Sequence, residues 1–191
     1  MSKKQILIAY GTRYGTTEAT VQDMVKMFSD LEIRTELLDL KQIKEKEWPS
    51  LDKYNGIIVA SGIKIGKWMK KTLRFLKKFK DEIEFKEKTI GLFVSCMKCL
   101  TDPIKAKEEY LEKVIDDLGI KPKIYQAFGP ILDFSESSRM GKFMKAILKK
   151  AAKDDLESDD IKIDYKAKND LRKIDQIQKF VEKFTIIIKG E

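Results

Sequence analysis

The sequence predicts an α/β fold in which a doubly wound, five-stranded parallel sheet carries helices on both faces. Five short apolar runs occur along the chain, and most are continuous rather than alternating, as expected of strands buried on both sides. Longer segments of helical period separate these runs. The 191 residues suit one compact domain, so we expect residues 1–191 to form a single domain.

The apolar runs define the predicted strands. They comprise residues 6–10, 35–40, 56–61, 90–95 and 124–132. Helical periodicity predicts helices over residues 17–31, 67–83 and 170–184. A further helix is expected to begin at Asp102 and Pro103, because these residue types are favoured at the N-cap and at the first helical position.

An insertion interrupts this alternation before the last helix. Residues 133–169 separate the fifth strand from its helix by 37 residues, where two to six are usual. The periodicity predicts an amphipathic helix over residues 139–152, followed by a charged stretch over residues 153–160. We interpret the segment as an insertion in one domain.

Composition excludes several kinds of site. The 39 Lys and Arg exceed the 31 Asp and Glu, and the net charge of +8 favours an acidic partner. The absence of His excludes His-ligated zinc, a Ser-His-Asp triad and a Cys-His dyad. Two Cys cannot build a four-thiolate site, and we expect no metal. No apolar run approaches the roughly 18 residues that span a bilayer, so we expect a cytoplasmic protein with reduced thiols.

The loop after the first predicted strand carries the strongest motif. It reads Tyr-Gly-Thr-Arg-Tyr-Gly-Thr-Thr over residues 10–17 and leads directly into a helix. Its glycines allow close approach of the backbone, its hydroxyls can donate hydrogen bonds, and the helix N-terminus favours an anion. The pattern fits a phosphate monoester and lacks both the dinucleotide and the Walker signatures. The alternative is that Thr16 or Thr17 only caps the helix.

This motif and the βα alternation resemble the flavodoxin family over essentially the whole chain. The resemblance implies strand order 2-1-3-4-5 and an FMN cofactor at the carboxyl edge of the sheet. It also implies that the phosphate is held by Thr12, Arg13, Tyr14, Gly15, Thr16 and Thr17.

Two further loops join the predicted FMN site by the same resemblance. The loop after the third strand lies against the flavin ring in flavodoxins, and here it comprises Ser61, Gly62, Ile63, Lys64, Ile65 and Gly66. The loop after the fourth strand contributes Ser95, Cys96, Met97 and Lys98. Small flavodoxins usually place acidic residues and a tyrosine in that last loop. Their absence here leaves one flavin face open to a substrate.

Lysine, tryptophan and cysteine side chains in or beside these loops suggest further hypotheses about the flavin site. Lys64, Lys67 and Lys98 near the ring would favour the anionic reduced flavin and raise its second one-electron potential. Trp68 could stack on the ring or pack in the interior. Cys96 and Cys99 could form a redox dithiol, although ordinary thiols packed near the cofactor are favoured because the thioredoxin-type context is missing.

The inserted helix carries one apolar stripe with five basic residues on its flanks. The stripe comprises Met140, Phe143, Met144, Ile147, Leu148 and Ala151, and the basic residues are Arg139, Lys142, Lys145, Lys149 and Lys150. It could pack on the sheet's flank, lie on an anionic membrane, or hold an apolar partner. A nucleic-acid surface is disfavoured, since no aromatic platform accompanies the lysines.

The fifth strand and the inserted helix also resemble the flavodoxin-type, quinone-dependent protoporphyrinogen dehydrogenases. That resemblance implies a porphyrin-type substrate, and a quinone or a redox partner protein as acceptor, with possible peripheral contact at the inner face of the membrane. The alternatives are a non-enzymatic electron carrier and a binding module that uses the fold without turnover. No residue is predicted to act as a catalytic acid or base; the flavin would carry the chemistry.

Overall fold

The structure, a computed structural model, describes residues 4–156 and 161–190. Five parallel strands form the central sheet: β1 (Gln5–Gly11), β2 (Arg34–Asp39), β3 (Gly56–Lys64), β5 (Thr89–Ser95) and β6 (Ile124–Phe128). They lie in the order β2-β1-β3-β5-β6. A short strand, β4 (Lys67–Trp68), pairs only with β3, in an antiparallel hairpin. The five parallel strands therefore confirm the predicted α/β fold and strand order.

Helices cover both faces of the sheet. One face carries α1 (Thr16–Asp30) and α8 (Ile174–Lys189). The other face is covered by α2 (Lys70–Phe79), α3 (Ile83–Glu87), α4 (Lys98–Thr101), α5 (Pro103–Lys107), a π-helical turn (Glu108–Glu112) and α6 (Lys113–Leu118). The Asp102 carboxylate accepts a 2.9 Å hydrogen bond from Lys105 N, which confirms the predicted N-cap.

The strands read as continuous apolar runs because each face of the sheet has its own core. Leu7 and Ala9 of β1 point towards the face of α2, where Phe75, Leu76 and Phe79 are buried. Ile6 and Ile8 point to the opposite face, where they join the buried residues of α1 and α8: Val21, Met24, Phe28, Ile177, Phe180, Val181 and Phe184. Burial on both faces removes the polar alternation of a half-exposed strand.

The predicted helix over residues 67–83 begins too early. Residues 67 and 68 instead form β4, and the helix α2 runs from Lys70 to Phe79. Ile65 and Gly66 have φ values of 47° and 68°, the conformation of a two-residue hairpin turn, so the chain folds back on β3 before the helix starts.

The fifth predicted strand, residues 124–132, is divided in two. It ends at Phe128, and β7 (Ile131–Asp133) then pairs antiparallel with β8 (Lys168–Asp170) in a separate ribbon. Pro130 has no N–H for a continuing ladder. Gly129 lies so close to Leu171 that a Cβ at this position would be 2.4 Å from the Leu171 carbonyl oxygen.

The β7–β8 ribbon also shifts two predicted helices. The last helix starts at Ile174 rather than at residue 170, because residue 170 belongs to β8. The inserted helix, α7 (Lys142–Asp155), starts three residues later than predicted. Residues 157–160 of the predicted charged stretch lie outside the described residues. Over the two described ranges, no helix is long and apolar enough to cross a membrane.

Candidate cofactor-binding site

The three loops selected from the sequence lie at one edge of the sheet. β1, β3 and β5 are neighbours, and their parallel registers place Gly11 opposite Ser61 and Gly62 opposite Ser95. The chain leaves each strand at this carboxyl edge, beside the point where the strand order reverses. In open α/β sheets this crevice is where ligands bind.

The first loop is shaped by two glycines. A Cβ on Gly11 would be 2.4 Å from the Thr72 hydroxyl, so only glycine lets α2 pack this closely. Gly15 has φ 96° and is the N-cap of α1. Its N–H donates a 3.0 Å hydrogen bond to Thr12 Oγ1, which closes the turn at the start of the helix. The loop thus ends at a helix N-terminus, a favourable position for an anion.

Thr16 and Thr17 have different environments. The Thr16 hydroxyl donates to the Ile131 carbonyl at 3.2 Å and accepts from the Ile131 N–H at 3.1 Å, which ties the loop to β7. Thr17 is fully buried, and its hydroxyl has no hydrogen-bond partner among the described residues. Neither side chain caps α1, so the capping alternative does not explain these threonines.

The second loop is the β3–β4 hairpin. Ser61 is buried, where its hydroxyl accepts a 2.9 Å hydrogen bond from Met69 N and donates to the Gly62 carbonyl. Ser61 therefore supports the hairpin and the start of α2. Trp68 is also buried, and its indole N–H donates to the Tyr110 carbonyl. Of the two alternatives for Trp68, the structure supports interior packing.

In the third loop, Ser95 and Lys98 have different environments. Ser95 is buried, and its hydroxyl has no partner among the residues that the structure describes. The Lys98 ammonium instead forms a 2.5 Å ion pair with Glu109 and lies 5.8 Å from the centre of the Tyr110 ring. Lys98 is thus directed towards the π-helical turn.

These loops surround a cleft of about 270 Å³. Twelve of the sixteen predicted cofactor residues line it: Thr12, Arg13, Tyr14, Thr16, Thr17, Gly62, Ile63, Lys64, Ile65, Ser95, Cys96 and Met97. The other four, Gly15, Ser61, Gly66 and Lys98, do not line it. Gly15, Ser61 and Gly66 shape the loops, whereas Lys98 points elsewhere.

The inserted helix supplies the opposite wall of the cleft. Met140, just before α7, lines the cleft together with Met144, Ile147 and Leu148. We call these four side chains the apolar wall. Phe143 belongs to the same sequence stripe but is 79% exposed and does not line the cleft. Met140, Met144 and Leu148 of the stripe pack in a small cluster apart from the two cores of the sheet, whereas Ile147 is 45% exposed. The alternative of packing on the sheet's flank is therefore not what the structure shows.

The sequence predicts the stripe but not its place in the site. Helical periodicity shows which residues share a face, but it does not show what that face covers. The same applies to Pro130, Ile131 and Leu132, which line the cleft because the chain breaks at residue 129. A further missed residue is Arg139, which lies beside Gly15 at the phosphate loop and pairs with Glu18 at 2.5 Å.

Neither cysteine has the environment of a reactive thiol. Burial raises the pKa of the Cys96 thiol to about 12 and also raises the pKa of Cys99. The Cys99 sulfur donates to the Ala127 carbonyl. Redox dithiols need a lowered thiol pKa, so these shifts oppose a dithiol role.

We expect Cys96 in the native protein to react with iodoacetamide at pH 8 about 1000-fold more slowly than an ordinary thiol. The thiolate is the reactive form, and a pKa three units above normal leaves about a thousandth of the usual thiolate. Time-resolved mass spectrometry of native and urea-unfolded protein measures this difference. Equal rates in the two states would show that burial does not protect Cys96.

Comparison with known proteins identifies the family. The sequence model described as the flavodoxin domain matches residues 7–159. No curated protein sequence matches significantly. Among solved structures, a short-chain flavodoxin associated with a PDU bacterial microcompartment is 11% identical, with coverage of 98% of this chain and 99% of that one and a TM-score of 0.56.

Two other flavodoxin structures are similar over nearly their whole length. A Streptococcus pneumoniae flavodoxin is 12% identical, covers 97% of this chain and 98% of its own, and has a TM-score of 0.52. A mutant flavodoxin of Fusobacterium nucleatum, bound to flavin mononucleotide, is 16% identical, with 98% and 96% coverage and a TM-score of 0.50. At these identities the structures support the fold, and the family model extends over most of the sequence. The chain belongs to the flavodoxin family.

Proposed function

We propose that the protein binds one FMN in the cleft and acts as an FMN-dependent oxidoreductase. The hydrogen-bond donors that line the cleft fit this cofactor. The buried hydroxyls of Thr17 and Ser95 have no partner among the described residues, and both residues line the cleft. The N-terminus of α1 favours the phosphate charge. Thr12 to Thr17 would hold the phosphate, and the second and third loops would border the ring. FMN, when bound, would accept the electrons removed from a substrate.

The apolar wall is the observation that carries the enzyme function. Carrier flavodoxins, by the resemblance drawn from the sequence, cover the flavin with a tyrosine in an acidic loop. Here Met97 occupies that loop, and Met144, Ile147 and Leu148 of α7 line the cleft. An apolar wall favours an apolar substrate beside the flavin. We infer a porphyrinogen-type substrate, oxidised to the porphyrin by loss of six electrons and six protons. FMN would take up the electrons two at a time, and a quinone or a redox protein would accept them.

The experiment is an anaerobic reaction of the FMN-loaded protein with protoporphyrinogen. We expect loss of flavin absorbance on mixing. Porphyrin fluorescence should rise when a soluble menaquinone analogue is added, because formation of one porphyrin releases six electrons, each FMN takes up two, and three quinones accept them in turn. Ile147→Asp should lower the rate at least 10-fold, since a charge in the apolar wall opposes an apolar ligand. Phe143→Ser is the matched control, because Phe143 lies on the same helix and faces away from the cleft. Unchanged flavin absorbance with wild-type protein would contradict the enzyme function.

A membrane quinone would require contact between the protein and the lipid surface. The exposed Phe143 and its neighbours Lys142 and Lys150 are the part of α7 that could make it. We propose this contact as peripheral and salt-sensitive. Co-sedimentation with anionic vesicles at low salt tests it, with Phe143→Ser as the variant that should remain in solution.

An electron carrier between redox proteins is the second candidate. The tip of the β3–β4 hairpin favours it, because Ile65 lines the cleft and is 84% exposed, so that a protein partner can reach the edge of the cofactor site. A protein that binds FMN, exchanges electrons with redox proteins and leaves protoporphyrinogen unchanged would be a carrier.

The lysines predicted to raise the flavin potential are separated by the structure. Lys64 lines the cleft, whereas Lys98 is paired with Glu109. We therefore expect Lys64→Gln to lower the potential of the second one-electron reduction by about 20–40 mV, and Lys98→Gln by less than about 10 mV. Spectroelectrochemical titration measures both. A larger shift for Lys98→Gln would mean that its ammonium lies near the ring after all.

A further inference from the structure

A second and larger groove lies on the other side of the β3–β4 hairpin from the cleft. Its volume is about 1110 Å³, and its lining includes six lysines: Lys41, Lys64, Lys67, Lys70, Lys71 and Lys113. Trp68, Met69, Leu73, Tyr110 and Val114 contribute its apolar part. We call it the basic groove. The cleft and the basic groove share Arg13, Lys64, Ile65 and Met69, so a molecule bound in the groove touches the rim of the cofactor site.

The positive charge of the basic groove is not neutralised within the chain. Two acidic residues, Glu109 and Asp117, line it, and Glu109 is already paired with Lys98. Over residues 4–156 and 161–190, none of the six lysines has a carboxylate within 4.0 Å. All of them except Lys71 are exposed. Clustered, unpaired charge of one sign attracts a ligand of the opposite sign and accelerates its association.

Ile65 adds an apolar projection between the cleft and the basic groove. It is 84% exposed and has φ 47°, a conformation that a β-branched residue rarely adopts. Asn or Gly is the usual residue at this position of a hairpin turn, so the backbone at Ile65 is strained. An apolar side chain that is both strained and solvated stabilises nothing in the free protein. A contact with a partner would give it a role.

We propose that the basic groove and Ile65 dock an acidic redox protein that exchanges electrons with the flavin. This inference rests on the proposed binding of FMN. The open groove spans the hairpin, α2 and α6, which suits a protein face better than an enclosed small ligand. A partner's carboxylates would pair with the lysines, and Ile65 would enter an apolar depression on the partner. In keeping with the proposed function, the partner would accept electrons: each electron would pass from the reduced flavin to the partner's one-electron redox centre, and the protons lost by the flavin would go to water.

The test measures binding to the FMN-loaded protein by calorimetry, with an oxidised [2Fe–2S] ferredoxin as the acidic probe and cytochrome c as the basic one. We expect ferredoxin to bind and cytochrome c not to bind. The triple variant Lys67→Glu, Lys70→Glu, Lys113→Glu should bind ferredoxin roughly 10-fold more weakly or worse. The loss should shrink at about 0.5 M NaCl, where charges are screened. The matched control is a second triple variant, Lys123→Glu, Lys179→Glu, Lys183→Glu. Those lysines line a separate groove beside β6 and α8.

Ile65→Asn separates the apolar contact from the charge. Asn tolerates the positive φ, so this variant should unfold at the same or a higher temperature than wild type, and it should still bind ferredoxin several-fold more weakly. Unchanged affinity would overturn the role of Ile65. If both triple variants lost ferredoxin affinity equally, the basic groove would not be the docking site. The proposal of an acidic protein partner would also be wrong if a single-stranded oligonucleotide bound as tightly as ferredoxin and lost affinity in the groove variant. Ferredoxin binding without turnover of protoporphyrinogen would contradict only the proposed substrate, and turnover without binding would contradict only the docking.

Discussion

Thr17→Val is expected to weaken FMN binding about 10- to 100-fold while leaving the fold intact. Valine has nearly the shape of threonine, so the buried packing is kept and only the hydroxyl is lost. That hydroxyl has no partner among the described residues, and it lies at the helix terminus where the phosphate is expected. A hydrogen bond to a charged group contributes about 1.5–3 kcal/mol, which corresponds to the expected loss of affinity. Titration of the apoprotein with FMN, followed by flavin fluorescence, measures the two dissociation constants.

The matched control for Thr17→Val is Thr185→Val. Thr185 is another buried threonine whose hydroxyl lacks a partner in the described part of the chain, but it lies on α8, outside the lining of the cleft. Its replacement should leave the dissociation constant of FMN unchanged. Equal affinities for wild type and Thr17→Val would remove Thr17 from the phosphate site. Preferential binding of FAD would contradict a loop that fits one terminal phosphate.

The sheet could be predicted from the sequence because its signals are local. Both faces of β1 are buried, so Ile6 to Ala9 form an uninterrupted apolar run, and Gly15 marks the turn into α1. Strand order required the family resemblance, since periodicity contains no information about which strands are neighbours. The three cofactor loops follow from that order, because parallel neighbouring strands bring their carboxyl ends together.

The parts that sequence reasoning missed depend on contacts between distant residues. The break after Phe128 depends on the close approach of Leu171 to Gly129, more than 40 positions along the chain. The direction of Lys98 is decided by Glu109, which lies 11 residues later in the π-helical turn. The apolar wall depends on where the Thr16–Ile131 hydrogen bonds place the insertion. These contacts produce no recognisable pattern in the sequence, whereas the stripe shows helical periodicity and the first loop carries a motif.

Arg172→Gln is expected to lower the free energy of unfolding at pH 7 by about 2 kcal/mol. The Arg172 side chain is only 6% exposed and pairs with Asp170 at 2.7 Å and with Asp23 of α1 at 2.9 Å. It thus fastens the end of β8, and with it the insertion, to the helix that begins at the phosphate loop. Removal of one partner from a buried ion pair costs about 3–5 kcal/mol, and we expect less because both carboxylates are partly exposed. Urea unfolding followed by circular dichroism measures the difference.

The pH dependence of this difference distinguishes the ion pair from simple loss of packing. A hydrogen bond from Arg172 holds the pKa of Asp170 below its ordinary value. The pairing therefore stabilises the fold above the unfolded pKa of about 4, and this contribution is lost as the pH falls through the lowered pKa. The difference in unfolding free energy between wild type and Arg172→Gln should shrink as the pH falls below about 4, whereas a difference that persists in acid would mean that packing dominates. Lys179→Gln, which breaks the exposed pair with Asp175, should change stability by less than about 0.5 kcal/mol at either pH.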